Sequence, residues 1–216
     1  MGFEGFGAVQ EGPYILIPDN SFQLHFQQIG GGTVDAHRVG SYGYFEDIES
    51  PTGYVNHPDD PGGETHYGVT RKVALKNGYA GPMRDIPYTK VLDIYRRRYW
   101  DDLRGDEIPD QEIAEELLDA GVNCGMPVVK RFLQRTLNVL HGKGTKYPDL
   151  PVDGVVGPRT VDALRRALAV APWYRLCVLR ALDSLQCVRY IELAERDSKF
   201  ESFVPGWLKV RVGVRD

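Results

Sequence analysis

The chain has 216 residues, of which 42% are hydrophobic and 26% charged, and its formal net charge at pH 7 is -4. This length allows one large domain or two small ones with a substantial core, and the composition is ordinary for a soluble globular protein. The acidic balance argues against a nucleic-acid-binding protein and against a general attraction to anionic cell-envelope surfaces.

Export and membrane signals are missing from the sequence. The N-terminus MGFEGFGAVQEG has no basic region followed by an apolar run, so we expect no signal peptide. No run approaches the ~18 apolar residues of a membrane span. Three cysteines, Cys124, Cys177 and Cys187, are few enough to indicate a reducing compartment, and we expect Cys177 and Cys187 to be small buried side chains. The sequence therefore predicts synthesis in the cytoplasm.

Residues 1–44 form an N-terminal arm with its own pattern. An apolar run at 14–17, a turn at 18–21 and alternating residues at 22–26 predict a β-hairpin. Glycines 30–32 then break the pattern, and the stretch to residue 43 is interpreted as a flexible connector. Two hypotheses stand: the hairpin packs on the next domain, or it docks on a partner protein by adding strands.

Residues 45–70, FEDIESPTGYVNHPDDPGGETHYGVT, contain the candidate chemistry. Apolar and aromatic residues up to Ile48 have helical spacing, and Pro51 cannot continue a helix. Glu49 therefore falls in a last helical turn, where the carbonyl dipoles favour its protonated form. A carboxylic acid that stays protonated near neutral pH is suited to general acid catalysis. A loop rich in Asp, Pro and Gly follows, and then a strand-like stretch at 65–70.

The rest of the chain has the apolar period of helices. We predict helices over 85–100, from 109 to about 124, over the residues carrying Val129 and Leu137, over 161–170 and over 174–195. The aromatic residues near 95–100 are interpreted as core. Asn123 is interpreted either as a cap for its helix or as a hydrogen-bond donor to substrate.

Four stretches, in the same order along the chain, resemble glycoside hydrolase family 108. GYVNHPDDPGGETHYGVT resembles the family pattern E-G-G-Y-V-N-D-P-x-D-P-G-G-x-T-x-x-G-I-T, although two extra residues separate Glu49 from the Gly-Tyr pair. LDAGVNCG resembles F-D-x-A-V-N-S-G, and the FLQ at residues 132–134 matches the F-L-Q of the family. DGVVGPRT is similar to the D-G-x-x-G-P-x-T signature of peptidoglycan-binding modules, and GWLKVR to the closing G-W-x-x-R. The resemblance covers about residues 45–212.

The resemblance implies a mainly α, lysozyme-like fold with a small β element after the catalytic helix, in addition to the N-terminal β-hairpin arm. It divides the chain into the arm at 1–44, a lysozyme-like catalytic region at 45–140 and a helical peptidoglycan-binding-like region at 141–216 packed on it. A helix-end glutamate, an acidic turn and a threonine-bearing strand are also the catalytic layout of phage-type lysozymes.

Site residues follow from the same resemblance. Glu49 is the candidate general acid, with Glu46 one helical turn earlier as the alternative; Glu11 fits the first letters of the motif but lacks everything downstream. The second carboxylate is Asp60 or, in second place, Asp59. The remaining candidates are Thr65 for catalysis and Tyr54, Tyr67, Asp59 and Asn123 for substrate binding. No cofactor and no metal is expected, and His57 and His66 are interpreted as exposed neutral histidines.

The implied function is an N-acetylmuramidase that cleaves the β-1,4 bond between N-acetylmuramic acid and N-acetylglucosamine in peptidoglycan. Such an endolysin would act at phage lysis or be carried in the phage particle, docked to a virion or tail protein through the arm. The alternatives are a catalytically silent wall-binding or structural virion component and a lytic transglycosylase.

Overall fold

The computed structural model describes residues 25–27, 33–35, 54–56, 64–201 and 203–212. Within these ranges the protein is mainly helical, with two small antiparallel sheets in the first third of the chain. The predicted fold class is confirmed.

The first sheet pairs two short strands of the N-terminal arm. Strand β1, His25–Gln27, runs antiparallel to β2, Thr33–Asp35, with Phe26 opposite Val34. The sequence predicts a pairing between 14–17 and 22–26 and a connector after residue 30. That prediction is wrong for residues 33–35, because Thr33 and Val34 have the β-branched side chains that favour a strand even beside a glycine run. Residues 14–24 lie outside the described ranges.

The second sheet has the order β3-β4-β5, with β3 before the acidic loop in the sequence and β4 and β5 after it. Its strands are β3, Tyr54–Val55, β4, Thr65–His66, and β5, Val69–Thr70, all antiparallel. The stretch predicted as strand-like is therefore a tight hairpin, with Tyr67 and Gly68 as its turn. The register places Tyr54 opposite His66, and Thr65 opposite Thr70.

Seven α-helices carry most of the described chain. They are α1 Arg71–Lys76, α2 Tyr88–Tyr95, α3 Gln111–Cys124, α4 Met126–Leu140, α5 Pro158–Leu168, α6 Trp173–Arg196 and α7 Val204–Arg211. A π-helical turn, Arg96–Trp100, continues α2, and 3-10 turns lie at Met83–Asp85, Gly105–Glu107 and Ser198–Phe200. The predicted helices are confirmed, since each apolar stripe packs on a neighbouring element.

Helix starts agree with local chemistry. The Asp110 side chain accepts a hydrogen bond from the backbone N–H of Ile113 at 3.1 Å and so caps α3. Pro158 lies in the first turn of α5, where its missing N–H costs nothing. Asp110 stands where the sequence predicts α3 to start, and α5 starts three residues before the predicted residue 161.

One continuous core joins the two predicted halves. Helix α3 packs against α4 and α6, and α5 packs on α4 and α6. Buried side chains from both sides of the predicted boundary at residue 140 belong to the same apolar cluster, including Trp100, Leu117, Leu133 and Val178. Burial of the aromatic residues at 95–100 confirms their interpretation as core. The C-terminal helices therefore pack directly on the helices that precede them.

The DGVVGPRT segment begins with a hydrogen-bonded turn that lies between α4 and α5. The Asp153 carboxylate accepts hydrogen bonds from Gln134 Nε2 at 2.7 Å and from the Val155 N–H at 2.9 Å. Gln134 Oε1 accepts from the Gly154 N–H at 2.9 Å, where φ is +79° and glycine is favoured. These bonds make the start of the segment a structural turn held by Gln134 of α4.

Candidate active site

The β4-β5 hairpin holds the aromatic and hydroxyl side chains predicted for the site. Its two-residue turn has φ of +48° at Tyr67 and +72° at Gly68, the signs of a type I′ turn. A non-glycine residue in this region costs about 1–3 kcal/mol, so surrounding contacts must hold Tyr67 in place. The Tyr95 hydroxyl reaches the Tyr67 carbonyl oxygen at 3.4 Å. The hairpin therefore gives Tyr67 a defined position.

Four aromatic rings form a row from β3 to α2. The ring centroids of Tyr54 and His66 are 6.0 Å apart, those of His66 and Tyr67 are stacked at 4.0 Å, and those of Tyr67 and Tyr88 are 5.7 Å apart. Two of these rings, Tyr54 and Tyr67, are the predicted substrate-binding tyrosines. The sheet register brings them to one surface although thirteen positions separate them in the sequence.

Tyr54 also takes part in a polar group that sequence reasoning missed. Its hydroxyl donates a hydrogen bond to Glu64 Oε1 at 2.9 Å, and the Arg84 guanidinium lies 4.0 Å from the centre of its ring. Partial burial, and then the hydrogen bond to Glu64, raise the pKa of Tyr54 above its usual value of about 10. Tyr54 therefore stays protonated at neutral pH and can remain a donor.

Tyr88, at the start of α2, completes the row. Burial, and then the neighbouring Tyr67, raise its pKa as well. Its ring is partly exposed, so it offers an apolar edge beside Tyr67. No periodic pattern marks Tyr88 or Arg84 as site residues in the sequence. Their placement depends on contacts between elements that are distant in the sequence.

Thr65 lies in the middle strand and is fully buried. It stands opposite Thr70, which is also buried and whose hydroxyl caps α1 by accepting from the Val73 N–H at 3.3 Å. His66 is buried too, with its Nδ1 2.6 Å from the Met83 carbonyl oxygen. The expectation that His66 is exposed is wrong, because the short strand carries it under the 3-10 turn at Met83–Asp85.

Asn123 stands at the last turn of α3. Its Nδ2 donates to the Asp119 carbonyl oxygen one turn earlier at 2.8 Å. The helix then ends at Gly125, whose φ is +90°. The amide therefore has a partner within its own helix, and binding of substrate by Asn123 stays a prediction.

The predicted carboxylates, Glu49, Asp59 and Asp60, lie outside the described residues, as do Glu46 and His57. The nearest described residues are 54–56 before the acidic loop and Glu64 after it. Tyr54 and Glu64 stand at the two ends of the acidic loop, and the backbone N–H of Arg71 donates to the Glu64 carbonyl oxygen at 2.7 Å. The structure thus shows what holds the ends of this loop.

The described ranges contain neither a metal site nor a membrane helix. No group of three or more His, Cys, Asp or Glu side chains there could hold a metal ion. None of the helices described there is both long enough and apolar enough to cross a membrane.

Two family models match consecutive parts of the chain. Residues 48–125 match the model described as glycosyl hydrolase 108, and residues 128–212 match the model described as predicted peptidoglycan domain. The boundary falls between α3 and α4, so that α4 belongs to the second match, whereas the division based on the sequence places it in the catalytic region. Among curated proteins, none matches this chain significantly.

These matches define a glycoside hydrolase segment followed by a peptidoglycan domain, and they confirm the family resemblance in both halves. The chain therefore combines a segment that matches glycosyl hydrolase 108 with a C-terminal part that matches a predicted peptidoglycan domain. Its fold is similar to the solved structure of SagA from Brucella abortus, at 26% identity and a TM-score of 0.52. That similarity covers 73% of this chain and 83% of SagA.

Proposed function

We propose that the chain is an N-acetylmuramidase that hydrolyses the β-1,4 bond between N-acetylmuramic acid and N-acetylglucosamine in peptidoglycan. The observation that carries this proposal is the continuous match of residues 48–125 to glycosyl hydrolase 108. It is supported by the peptidoglycan domain that follows it in the same chain. In the aromatic row, the rings of Tyr54, Tyr67 and Tyr88 are at least partly exposed and supply flat apolar faces of the kind that sugar rings contact.

Glu49 is proposed as the general acid. The glycosyl hydrolase match begins at residue 48, so Glu49 lies inside it while Glu46 and Glu11 lie outside. Glu49 would protonate the leaving glycosidic oxygen while positive charge develops on the sugar ring. The two residues inserted after Glu49 lengthen the chain before Tyr54, which the antiparallel β3-β4 pairing holds in place.

Asp60 is proposed as the second carboxylate, with Asp59 as the alternative. The separation of this group from Glu49 decides whether it attacks the sugar or activates water. Glu64 is half-buried and holds Tyr54, and we assign it a positioning role at the end of the acidic loop. Thr65 is proposed to hold the attacking water or the substrate. Tyr54, Tyr67, Asp59 and Asn123 are proposed as substrate contacts.

Digestion of purified peptidoglycan by the wild type, Glu49→Gln and Glu46→Gln, followed by mass spectrometry of the released sugars, tests the proposal. We expect reducing muramic acid ends from the wild type and from Glu46→Gln, and none from a folded Glu49→Gln. Anhydro ends would instead show a lytic transglycosylase. No release by the wild type would favour a silent wall-binding or structural protein, the alternative that the two-residue insertion supports.

We further propose a phage role, at lysis or in the particle, with the arm as the docking element for a virion protein. Synthesis in the host cytoplasm would then require a membrane lesion or packaging to reach the wall. A variant lacking residues 1–40 tests this role. Retained lysis with lost particle association supports docking, whereas loss of folding shows that the arm is part of the core.

A further inference from the structure

We propose that Trp173 and Lys146 form a second peptidoglycan-binding site, located on the C-terminal domain and separate from the β4-β5 hairpin. The choice of ligand rests on the proposed function. The site itself is argued from exposure, ring geometry and charge.

Trp173 is exposed in a way that the other tryptophans are not. Its side chain is 60% exposed at the first position of α6, whereas Trp100 is fully buried. Trp207 lies in an aromatic cluster, with its ring centroid 4.8 Å from that of Tyr190 and 5.9 Å from that of Phe203. An indole left in water forfeits the gain from burying a large apolar surface. Packing therefore does not account for Trp173.

Trp173 is nevertheless held in place. Its ring packs on that of Tyr174, with centroids 4.4 Å apart, and Tyr174 is buried. Leu176, three residues later on the same helix, is also exposed and lies beside Trp173 on the helix surface. A fixed indole with apolar neighbours presents a flat face. The C–H bonds of a sugar ring, which carry partial positive charge, fit the negative face of such a ring.

Lys146 adds a positive charge to this surface. Its ammonium lies 5.2 Å from the centroid of the Tyr174 ring, so Tyr174 contacts both the indole and the cation. Two hydrogen bonds hold the loop that carries Lys146. The backbone N–H of Lys146 donates to the His141 carbonyl oxygen at 3.2 Å, and the Tyr147 hydroxyl donates to the Leu137 carbonyl oxygen at 2.9 Å.

The ligand that fits an indole beside a cation is a glycan that also carries carboxylates. Peptidoglycan has both, in its sugar backbone and in the acids of its peptide stems, whereas chitin has the sugars alone. Residues 141–176 lie wholly inside the predicted peptidoglycan domain. In the DGVVGPRT segment of that domain, the Asp153 carboxylate and the Gly154 N–H are already hydrogen-bonded to Gln134.

Co-sedimentation of the full chain with purified peptidoglycan sacculi, and separately with chitin beads, tests the inference. We expect Trp173→Ala to weaken binding to both supports by at least about fivefold, because the stacking face is lost. Lys146→Gln should weaken binding to sacculi alone, and the effect should fade at high salt. Trp173→Tyr, which keeps an aromatic face, should restore most of the binding.

Matched controls come from the same domain. Val188 is 50% exposed on α6, about 22 Å along the helix from Trp173, and Lys199 also lies beside an aromatic ring, 4.9 Å from the centroid of Phe200. Val188→Ala and Lys199→Gln should bind as the wild type does. Circular dichroism checks that each variant is folded.

Two results would overturn the inference. One is sacculus binding by folded Trp173→Ala within about twofold of the wild type, since a dominant contact cannot be removed without loss. The other is a dimer in solution that Trp173→Ala converts to a monomer, because a second copy of the chain would then cover the indole. Failure of the proposed function looks different: the wild type would bind sacculi, and Trp173→Ala would not, while no sugar is released.

Discussion

The hydroxyl of Tyr54 donates to the carboxylate of Glu64 at 2.9 Å and so closes the two ends of the acidic loop. Their neighbours on the strands, Val55 and Thr65, pair in the β3-β4 ladder. This pairing joins the same two ends of the loop through the backbone. The acidic loop is therefore anchored at both of its ends, by Tyr54 and by Glu64.

The strength of this hydrogen bond should be measurable as a coupling free energy between Tyr54 and Glu64. We expect Tyr54→Phe and Glu64→Gln each to destabilise the protein, with a coupling free energy of about 1 kcal/mol in a double-mutant cycle. Urea unfolding of the wild type, both single variants and the double variant measures it. Additive effects would show that the two groups do not interact in solution.

A methyl group at Gly105 should be poorly tolerated. A Cβ there would lie 2.3 Å from the ring atoms Cδ2 and Cε2 of Trp100, which is buried and whose Nε1 donates to Asp106 at 2.8 Å. We expect Gly105→Ala to cost about 1–3 kcal/mol of unfolding free energy, since the packed ring cannot move freely. Gly157→Ser is the control, because a Cβ at Gly157 would meet no atom within 4 Å and this residue precedes α5 as a cap. A wild-type stability for Gly105→Ala would contradict this packing.

Asp110 has two functions that substitutions can separate. It caps α3, and it also accepts a hydrogen bond from Arg175 Nε at 2.7 Å, while the Arg175 guanidinium also bonds to Glu112. Asp110→Ala removes the cap and the ion pair and should cost about 1–2 kcal/mol. Asp110→Asn keeps a helix cap but loses the ion pair, and Arg175→Met keeps the apolar part of the side chain but loses the charge. Because Arg175 is partly exposed, each of these two substitutions should cost less than about 1 kcal/mol. Thermal unfolding ranks the variants. A loss of stability in Arg175→Met as large as that in Asp110→Ala would contradict the predicted ranking.

Alkaline pH should weaken the fold through Tyr147. Burial, and then the neighbouring Tyr174, raise the pKa of Tyr147 to about 12, above the value of about 10 for an unfolded tyrosine. The folded state therefore holds this proton more tightly, so its contribution to stability is complete below pH 10 and declines as the pH rises toward 12. Urea midpoints measured from about pH 8 to 11 should fall less for Tyr147→Phe than for the wild type. Parallel curves would rule out this contribution.

Acidic pH should act through Asp153. Hydrogen bonds from Gln134 and then from the Val155 N–H lower the pKa of Asp153. Its contribution is therefore present above the pKa of an unfolded aspartate, about 3.9, and is lost as the pH falls through the lower folded value. Asp153→Asn should flatten the acid limb of the stability curve. An unchanged limb would show that Asp153 titrates as it does in the unfolded chain.

Helices were predictable here and the site mostly was not, for a physical reason. The apolar stripes of α3 and α4 repeat at helical spacing over many residues, and each stripe predicts its own burial. Strands of two residues are too short to alternate, so the β4-β5 hairpin appeared as one stretch. The burial of His66 and the bond from Tyr54 to Glu64 come from strand register, which links residues ten or more positions apart. Asp60 depends on the family resemblance alone, whereas Glu49 is also indicated by the predicted helix end before Pro51.

The shared core also decides how this chain can be engineered. Exchanging one half of a wall-degrading protein for another works when each half keeps its own core, but here Leu117 on α3 and Leu133 on α4 belong to one apolar cluster across the junction. A chain cut near residue 126 would leave the inner face of α3 in water. Grafting a foreign C-terminal part onto residues 1–125 therefore requires redesign of that face, because the boundary between the two family matches is not a boundary in the core.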